Sequence, residues 1–289
     1  MHRCGASVIA AASPVDWTGF PTRSRWDLHV HTSLSDGLLP PAEVLEKAAT
    51  SGLSVLALTD HDMAPTLPAG EHQFGEDRIF LLHGAEVSVR YQGRGIHLLV
   101  YFPGEMPQDF RDFCRQRAVS RADRYERARE SLGLSGIPPA SDEARRGEEA
   151  VTRAHLARSL VKAGHVDHVG QAFGRYLNME HGHFQGEEPE IADVLDLARS
   201  LGGVCSWAHP NPERARTLAQ PLAKLGLAGL EGLRPGLGRS QRNAFRRLAK
   251  ARGLVLTGGS DWHGFGAALG TFGMDGQQAA PLARLLARS

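Results

Sequence analysis

The stretch DLHVHTSLSDGLLPPAEVLEKAATSG (27–52) lays out a strand, a polar loop and a helix in direct succession. Leu28 and Val30 alternate with His29 and His31, a period of two that points both imidazoles to one side of a strand. Asp36 follows in the loop. Pro40 and Pro41 pre-set a helix start, Val44, Leu45 and Ala48 form an apolar stripe, and Gly52 stops it. A strand that ends in two imidazoles and hands over to a helix is an opening unit of an α/β fold.

Working outward, six further apolar runs alternate with helical patterns: VLALTDHD (55–62), IFLLHGAEVSV (79–89), GIHLLVYF (95–102), GGVCSWAHP (202–210), LAGLEGLRP (227–235) and GLVLTGGSDWHG (253–264). Continuous runs of this kind predict buried parallel strands covered by helices. Between the fourth and fifth strands the pattern changes. FRDFCRQRAVSRADRYERARESLGLSG (110–136) reads as a long Arg-rich helix, and AHLARSLVKAGHV (154–166) and QAFGRYL (171–177) as two shorter ones. PEIADVLDLARSLGG (189–203) reads as the helix that leads into the fifth strand. The expected organisation is an N-terminal extension (1–25), a barrel in two parts (26–105 and 186–289) and a helical insertion (106–185), the kind of segment that selects substrate in barrel folds. The alanine-rich start MHRCGASVIAAASP (1–14) loosely imitates a signal peptide and reads as disordered chain.

Thirty-three basic residues balance 32 acidic ones in 289, so no overall field demands a nucleic acid or a membrane, although a local site can still be strongly positive. Cys4, Cys114 and Cys205 are widely spaced with no CxxC pair, which argues against a disulfide framework or a thiolate zinc site and for a reducing cytoplasm. The longest apolar runs are too short to span a bilayer. Nothing points to an obligate protein partner.

The 14 histidines matter by their placement. His29 and His31 end the first strand, His61 the second and His209 the fifth. Asp261 and His263, again two apart, end the last. Glu86 lies late in the third strand and His97 in the fourth, where it begins its run. With Asp36 these are nine nitrogen and oxygen donors converging on the rim where barrels build function. Six imidazoles and three carboxylates crowded into a partly buried site require compensation, and two or three divalent cations supply it; the donor set suits zinc, manganese or iron. Three dications against three carboxylates and one hydroxide leave a site charge of about +2, which favours a phosphate ester over a neutral amide. Hydroxide bridging the metals would be the nucleophile, held by Glu86, Asp261 and His209.

DLHVHTSLSDG (27–37), TDHD (59–62), GAEVSV (84–89) with GIHLLVYF, WAHP (207–210) and GGSDWHG (258–264) resemble, in order, the motifs of the PHP (polymerase and histidinol phosphatase) family, from Trp26 to about Gly270. The resemblance implies a distorted (β/α)7 barrel with a trinuclear metal centre. One metal would take His29, His31, Glu86 and Asp261; a second Glu86, His97 and His209; a third Asp36, His61 and His263. Asp36, where some relatives carry His, and the stretch 152–177 are similar to a subgroup of metal-dependent phosphoesterases. Those enzymes act as 3′,5′-nucleotide bisphosphate phosphatases and as 5′→3′ exoribonucleases on short RNAs, usually with manganese. The chain departs from that subgroup at HFQGEEPEI (183–191), where relatives carry Tyr-Val-Pro, and at Asn211–Glu213, where they carry Gly-Arg-Tyr.

The expected partner is thus a phosphorylated small molecule or a short RNA end. The alternatives are a histidinol-phosphate-type or other small-molecule phosphomonoesterase, and a non-catalytic PHP binding module. An amidohydrolase with a carboxylated lysine is disfavoured, because the four lysines lie in helical stretches. Arg121 and Arg124 read either as phosphate captors or as a solvated charged face with Asp123 and Glu126; Arg153 and His155, opening a helix, read either as substrate contacts or as structure. Asp60, Asp62 and Glu231 read as partners of the metal ligands, with a purely structural Glu231 left open. Trp207 and Trp262 read as packing or as base-stacking platforms, and His72, His83, His165, His168, His181 and His183 as ordinary residues, with a place near the substrate left open for a few of them.

Overall fold

The computed structural model describes residues 7–8, 15–178 and 188–289, so Cys4, His181 and His183 lie outside the described residues. In chain order the strands are β1 (Ser7–Val8), β2 (Arg25–Val30), β3 (Val55–Leu58), β4 (Gly70–Phe74), β5 (Asp77–Tyr91), β6 (Arg94–Phe102), β7 (Val204–Trp207), β8 (Gly229–Leu233), β9 (Val255–Gly258) and β10 (Met274–Asp275). The helices are α1 (Pro41–Thr50), α2 (Gln108–Leu132), α3 (Asp142–Arg146), α4 (Arg153–Lys162), α5 (Val169–Arg175), α6 (Ile191–Ser200), α7 (Pro212–Lys224), α8 (Arg239–Ala251) and α9 (Gly276–Leu286).

Eight strands form the wall in the order β10-β2-β3-β5-β6-β7-β8-β9. The residues after β9 return to β2: His31 N–H donates to Trp262 O (2.9 Å) and Asp261 N–H to His29 O (2.8 Å). The result is a distorted, nearly closed barrel whose wall holds all seven expected strands. α1 packs beside β2 and β3 over Val44, Leu45 and Ala48, and α6, α7 and α8 cover the β6–β8 side. Between β6 and β7, α2 to α5 enclose a small core of their own, with Tyr125, Leu156 and Leu160 at its centre. No helix among the described residues is long and apolar enough to cross a membrane.

Two expectations need correction. First, the strands are not all parallel. β6 runs antiparallel to both β5 and β7, while β2/β3, β3/β5, β7/β8 and β8/β9 are parallel. β5 and β6 are joined at Gln92-Gly93, both with positive φ (52° and 75°), and Tyr91 pairs with Arg94. That is the backbone of a two-residue hairpin, and a loop this short cannot cross over to a parallel neighbour. β6 therefore starts at the rim where its neighbours end, which carries His97 to the other donors.

Second, residues 15–24 of the expected extension pack onto the barrel, whereas most of the alanine-rich start expected to be disordered lies outside the described residues. Trp17 is 1% exposed, packs against Phe20, Trp26 and Phe80 at ring-centroid distances of 4.9–6.1 Å, and donates its indole N–H to Pro103 O (2.9 Å). Trp26 and Phe80 lie toward the starts of β2 and β5, so this aromatic cluster closes the barrel end remote from His31. Burying aromatic surface of this size outweighs the cost of ordering a short segment.

Candidate metal centre

Glu86, 1% exposed, is the hub of the site. Oε2 faces His61 Nδ1 (3.0 Å), His31 Nε2 (3.3 Å) and His29 Nε2 (3.4 Å), while Oε1 faces His209 Nε2 (2.8 Å) and His97 Nδ1 (2.9 Å). Asp261 Oδ1 lies 3.3 Å from both His29 Nε2 and His31 Nε2. Asp36 faces His263 Nε2 (3.3 Å), His31 Nδ1 (3.7 Å) and His61 Nε2 (3.7 Å). The structure thus brings all nine expected donors together. Three groups have donor atoms within 4.8 Å of one another: His31, Asp36, His61 and His263; His29, His31 and Asp261; and His61, Glu86 and His97. This grouping overlaps the division implied by the resemblance but shares His31 and His61 differently.

The donor chemistry fits divalent cations. The Nε2 atoms of His29 and His31 stand 3.1 Å apart, aimed at the same carboxylates. Buried Glu86 Oε2 and His61 Nδ1 stand 3.0 Å apart without hydrogen-bond geometry, and neither has another hydrogen-bond partner. Such atoms carry a desolvation cost that a shared cation removes.

The charges are strongly coupled. Burial alone would depress His29 and His31, but the carboxylates of Glu231, Asp261 and Glu86 prevail, lifting His29 well above the usual imidazole range; Asp261 and Glu86 lift His31 to about 10. Burial would raise Glu86, Asp36 and Asp261, yet the surrounding imidazoles hold all three below the carboxylate range. At His61 burial wins over Glu86 and Asp36 and lowers its pKa. Cations entering such a site replace protons as counter-charge.

Neighbouring residues hold the donors in place. Fully buried Glu231 takes His29 Nδ1–H on Oε1 (3.0 Å) and His209 N–H on Oε2 (2.5 Å), the contacts expected of a partner to those two residues. Asp60 accepts from Thr32 N–H (2.7 Å), Thr32 Oγ1 (2.7 Å) and Ser35 Oγ (2.6 Å), and so shapes the loop that carries Asp36. Asp27, raised to about 6 by burial, accepts from Ser260 N–H (2.8 Å), beside Asp261. Among the described residues four non-glycines have positive φ, and three of them, Asp62, His209 and Asp261, sit in or next to the centre. Backbone strain of that kind collects where geometry serves function.

Gly259 shows how tightly β2 approaches the last rim loop. A Cβ there would lie 2.2 Å from His29 Cβ and 2.6 Å from His29 N. Gly259→Ala is expected to displace His29, lowering bound metal and costing about 1–3 kcal/mol of stability. Elemental analysis and denaturant melts check both; full metal content would contradict the expectation.

Beside the centre lies a cavity of about 470 Å³ whose wall includes Asp36, His61 and His97 together with Arg94, Arg121, Arg124 and Arg153. Arg121 and Arg124 are not on a solvated face; both are buried. Arg121 Nε donates to Asp62 Oδ2 (2.6 Å) and Nη2 to Ser88 Oγ (2.8 Å), and Arg124 pairs with Glu188 (3.2 Å). Burial and the nearby Arg121 lower Arg124 to about 10. His155 does not join this wall: its Nδ1 accepts Thr152 N–H (3.0 Å), completing the N-terminal cap of α4. Trp207 and Trp262 are 2% and 7% exposed and act as packing. His72 and His83 bond to backbone carbonyls of Pro68 and Leu67, His165 to that of Ser135, and His168 caps α5. Glu231 was open to reading in sequence from its place on the sixth strand.

Residues 27–196 match the PHP domain. The chain is 35% identical over 253 residues to a 5′-3′ exoribonuclease of Haemophilus influenzae, covering 83% of this chain and 90% of that one. It is 32% identical to a 3′,5′-nucleoside bisphosphate phosphatase of Chromobacterium violaceum, covering 82% and 86%. A crystal structure from Bifidobacterium adolescentis, assigned as a metal-dependent phosphoesterase, superposes with a TM-score of 0.73 at 26% identity, covering 93% and 97%. By its matched domain and by relatives aligned over more than four-fifths of its length, the chain is a member of the PHP family.

Proposed function

We propose that this PHP-family hydrolase cleaves phosphate esters at the Glu86-centred cluster, and that its substrates are nucleotide 3′,5′-bisphosphates or the 5′ ends of short oligoribonucleotides. The observation that carries the reading is the carboxylate of Glu86, ringed by five imidazole nitrogens within 3.4 Å and opening beside an arginine-lined cavity. The activities named for the two relatives support it. Bound divalent cations, with manganese as our choice, would stabilise charge on the phosphoryl oxygens and lower the pKa of water toward neutrality.

The chain's own residues do the rest. His29, His31, Asp36, His61, Glu86, His97, His209, Asp261 and His263 would hold two or three ions, with Glu86, Asp261 and His209 nearest the attacking oxygen. Arg153, with Arg121 and Arg124, would orient the phosphate from the insertion side, where Arg94 and Arg153 stand beside the ion-paired Arg121 and Arg124. His155 would serve that wall by holding the start of α4. A cytoplasmic location belongs to the same reading, consistent with the buried free thiols Cys114 and Cys205.

A substrate panel with manganese tests it. Release of phosphate from 3′,5′-bisphosphates or of mononucleotides from 5′-phosphorylated RNA is expected, with little turnover of histidinol phosphate. Turnover of histidinol phosphate alone would support the monoesterase, and stoichiometric metal without any turnover the binding module. Arg153→Ala is expected to lower kcat/KM about 10–100-fold, mainly through KM, as loss of a hydrogen bond to a charged group does. An unchanged KM would remove Arg153 from the substrate contacts.

A further inference from the structure

A second and larger cavity, about 1050 Å³, meets the centre at Asp261. It shares Ser260 and Asp261 with the site, whereas the insertion-side cavity shares Asp36, His61 and His97. Asp261 differs from the other two carboxylates in the same way: its side chain is 39% exposed, against 7% for Asp36 and 1% for Glu86. The cluster is therefore open on two sides.

One wall of this cavity is α8. Arg239, Arg242 and Arg246 are spaced three and four residues apart, which places them on one helix face over about 10 Å of axis. α8 contains no Asp or Glu, so the i, i+4 partners of an ordinary solvated charged face are missing. Two of these arginines donate to neutral acceptors, Arg242 Nη2 to Arg234 O (3.3 Å) and Arg246 Nη1 to Asn243 Oδ1 (2.9 Å). The buried Nε of Arg242 has no partner. Asp261 is the sole carboxylate among the lining residues. At the rim stands Phe265, 65% exposed, its ring 5.9 Å from that of His263.

Two basic cavities that share no lining residue and reach different donors of one cluster suit a substrate that carries anionic groups on both sides of the bond being cut. We infer that the α8 cavity binds the internucleotide phosphates of an oligonucleotide whose terminal nucleotide occupies the insertion-side cavity, with Phe265 as a platform for the adjoining base. Arginine rows track a phosphate backbone, and exposed aromatic rings accept bases irrespective of sequence. A bisphosphate would use the first cavity alone. This assignment rests on the phosphoesterase reading and narrows it to a polymeric substrate.

The test compares wild type with Arg239→Gln/Arg246→Gln and with the triple variant that adds Arg242→Gln. The ratio of kcat/KM for a 5′-phosphorylated pentaribonucleotide to that for a 3′,5′-bisphosphate is expected to fall at least tenfold. The dependence of log(kcat/KM) for the pentamer on log salt should flatten by about 0.7 for each phosphate that the variant no longer neutralises. Binding of a 3′-fluorescein pentaribonucleotide, followed by anisotropy in EDTA, should weaken in parallel, and Phe265→Ala should weaken it independently of salt. An unaltered substrate ratio, or equal anisotropy affinities for wild type and triple variant, overturns the assignment. Should wild type hydrolyse no nucleotide substrate, the phosphoesterase reading fails, and the anisotropy comparison still decides whether α8 binds the chain.

Discussion

Glu86→Gln is expected to yield folded protein that no longer holds its full complement of metal and no longer turns over. Glutamine has one acceptor oxygen where glutamate has two, and Glu86 uses its two oxygens on opposite groups, His97 and His209 on one side, His29, His31 and His61 on the other. An amide NH₂ turned toward either group would meet imidazole nitrogens that are themselves aimed at a cation, so one group loses its carboxylate whichever way the amide is flipped. The natural scale for comparison is Glu231→Gln. Glu231 accepts from His29 Nδ1–H and from His209 N–H, and a single acceptor cannot serve both. Loss of such an outer partner costs about 10–100-fold in metal affinity or activity, and Glu86→Gln should exceed it. Calorimetric manganese titration, elemental analysis and kcat/KM on a common substrate measure both variants. A Glu86→Gln protein with stoichiometric metal and activity no lower than Glu231→Gln would remove Glu86 from the centre of the site.

The apolar runs made seven strands legible, and the spacing of His29 with His31 and of Asp261 with His263 made the rim legible, because a period of two has one structural meaning. Strand direction was not legible from apolarity, since a buried strand has the same composition whichever way it runs. The signal lay in the five residues 90–94 between the two apolar runs, too few to cross over to a parallel neighbour and with Gln92-Gly93 at their centre; reading it would have explained why His97 begins its strand. The packing of Trp17 was masked by the alanine-rich stretch before it. Arg121 illustrates a different limit: its partner Asp62 is 59 residues away, and no local pattern distinguishes a buried ion pair from a solvated charge. The α8 arginines were overlooked for the opposite reason, because a basic helix face looks solvated until the cavity it lines is known.

Arg121 also supplies the second large effect, which separates its two possible roles. Arg121 and Asp62 form an ion pair at 2.6 Å, with side chains 6% and 0% exposed, that joins α2 to the residue following His61. Arg121→Met leaves a buried carboxylate without its main partner and is expected to cost about 3–5 kcal/mol. Asp62→Asn removes the charge while tolerating the positive φ of 51° at that position. The double variant should therefore recover much of the stability lost in Arg121→Met, and denaturant melts of the four proteins give the coupling directly. Burial alone would raise the Asp62 pKa, but Arg121 and Arg117 prevail and hold it below 3.8. A depressed carboxylate contributes stability that is present above its unfolded value and is lost as pH falls through the folded one. The stability gap between wild type and Asp62→Asn should accordingly be widest above about pH 4 and close on the acid side. Activity then assigns the role. If Arg121 acts by positioning His61 through Asp62, Arg121→Met loses turnover and Asp62→Asn restores part of it. If Arg121 binds the phosphate itself, the double variant stays as inactive as Arg121→Met however much stability returns.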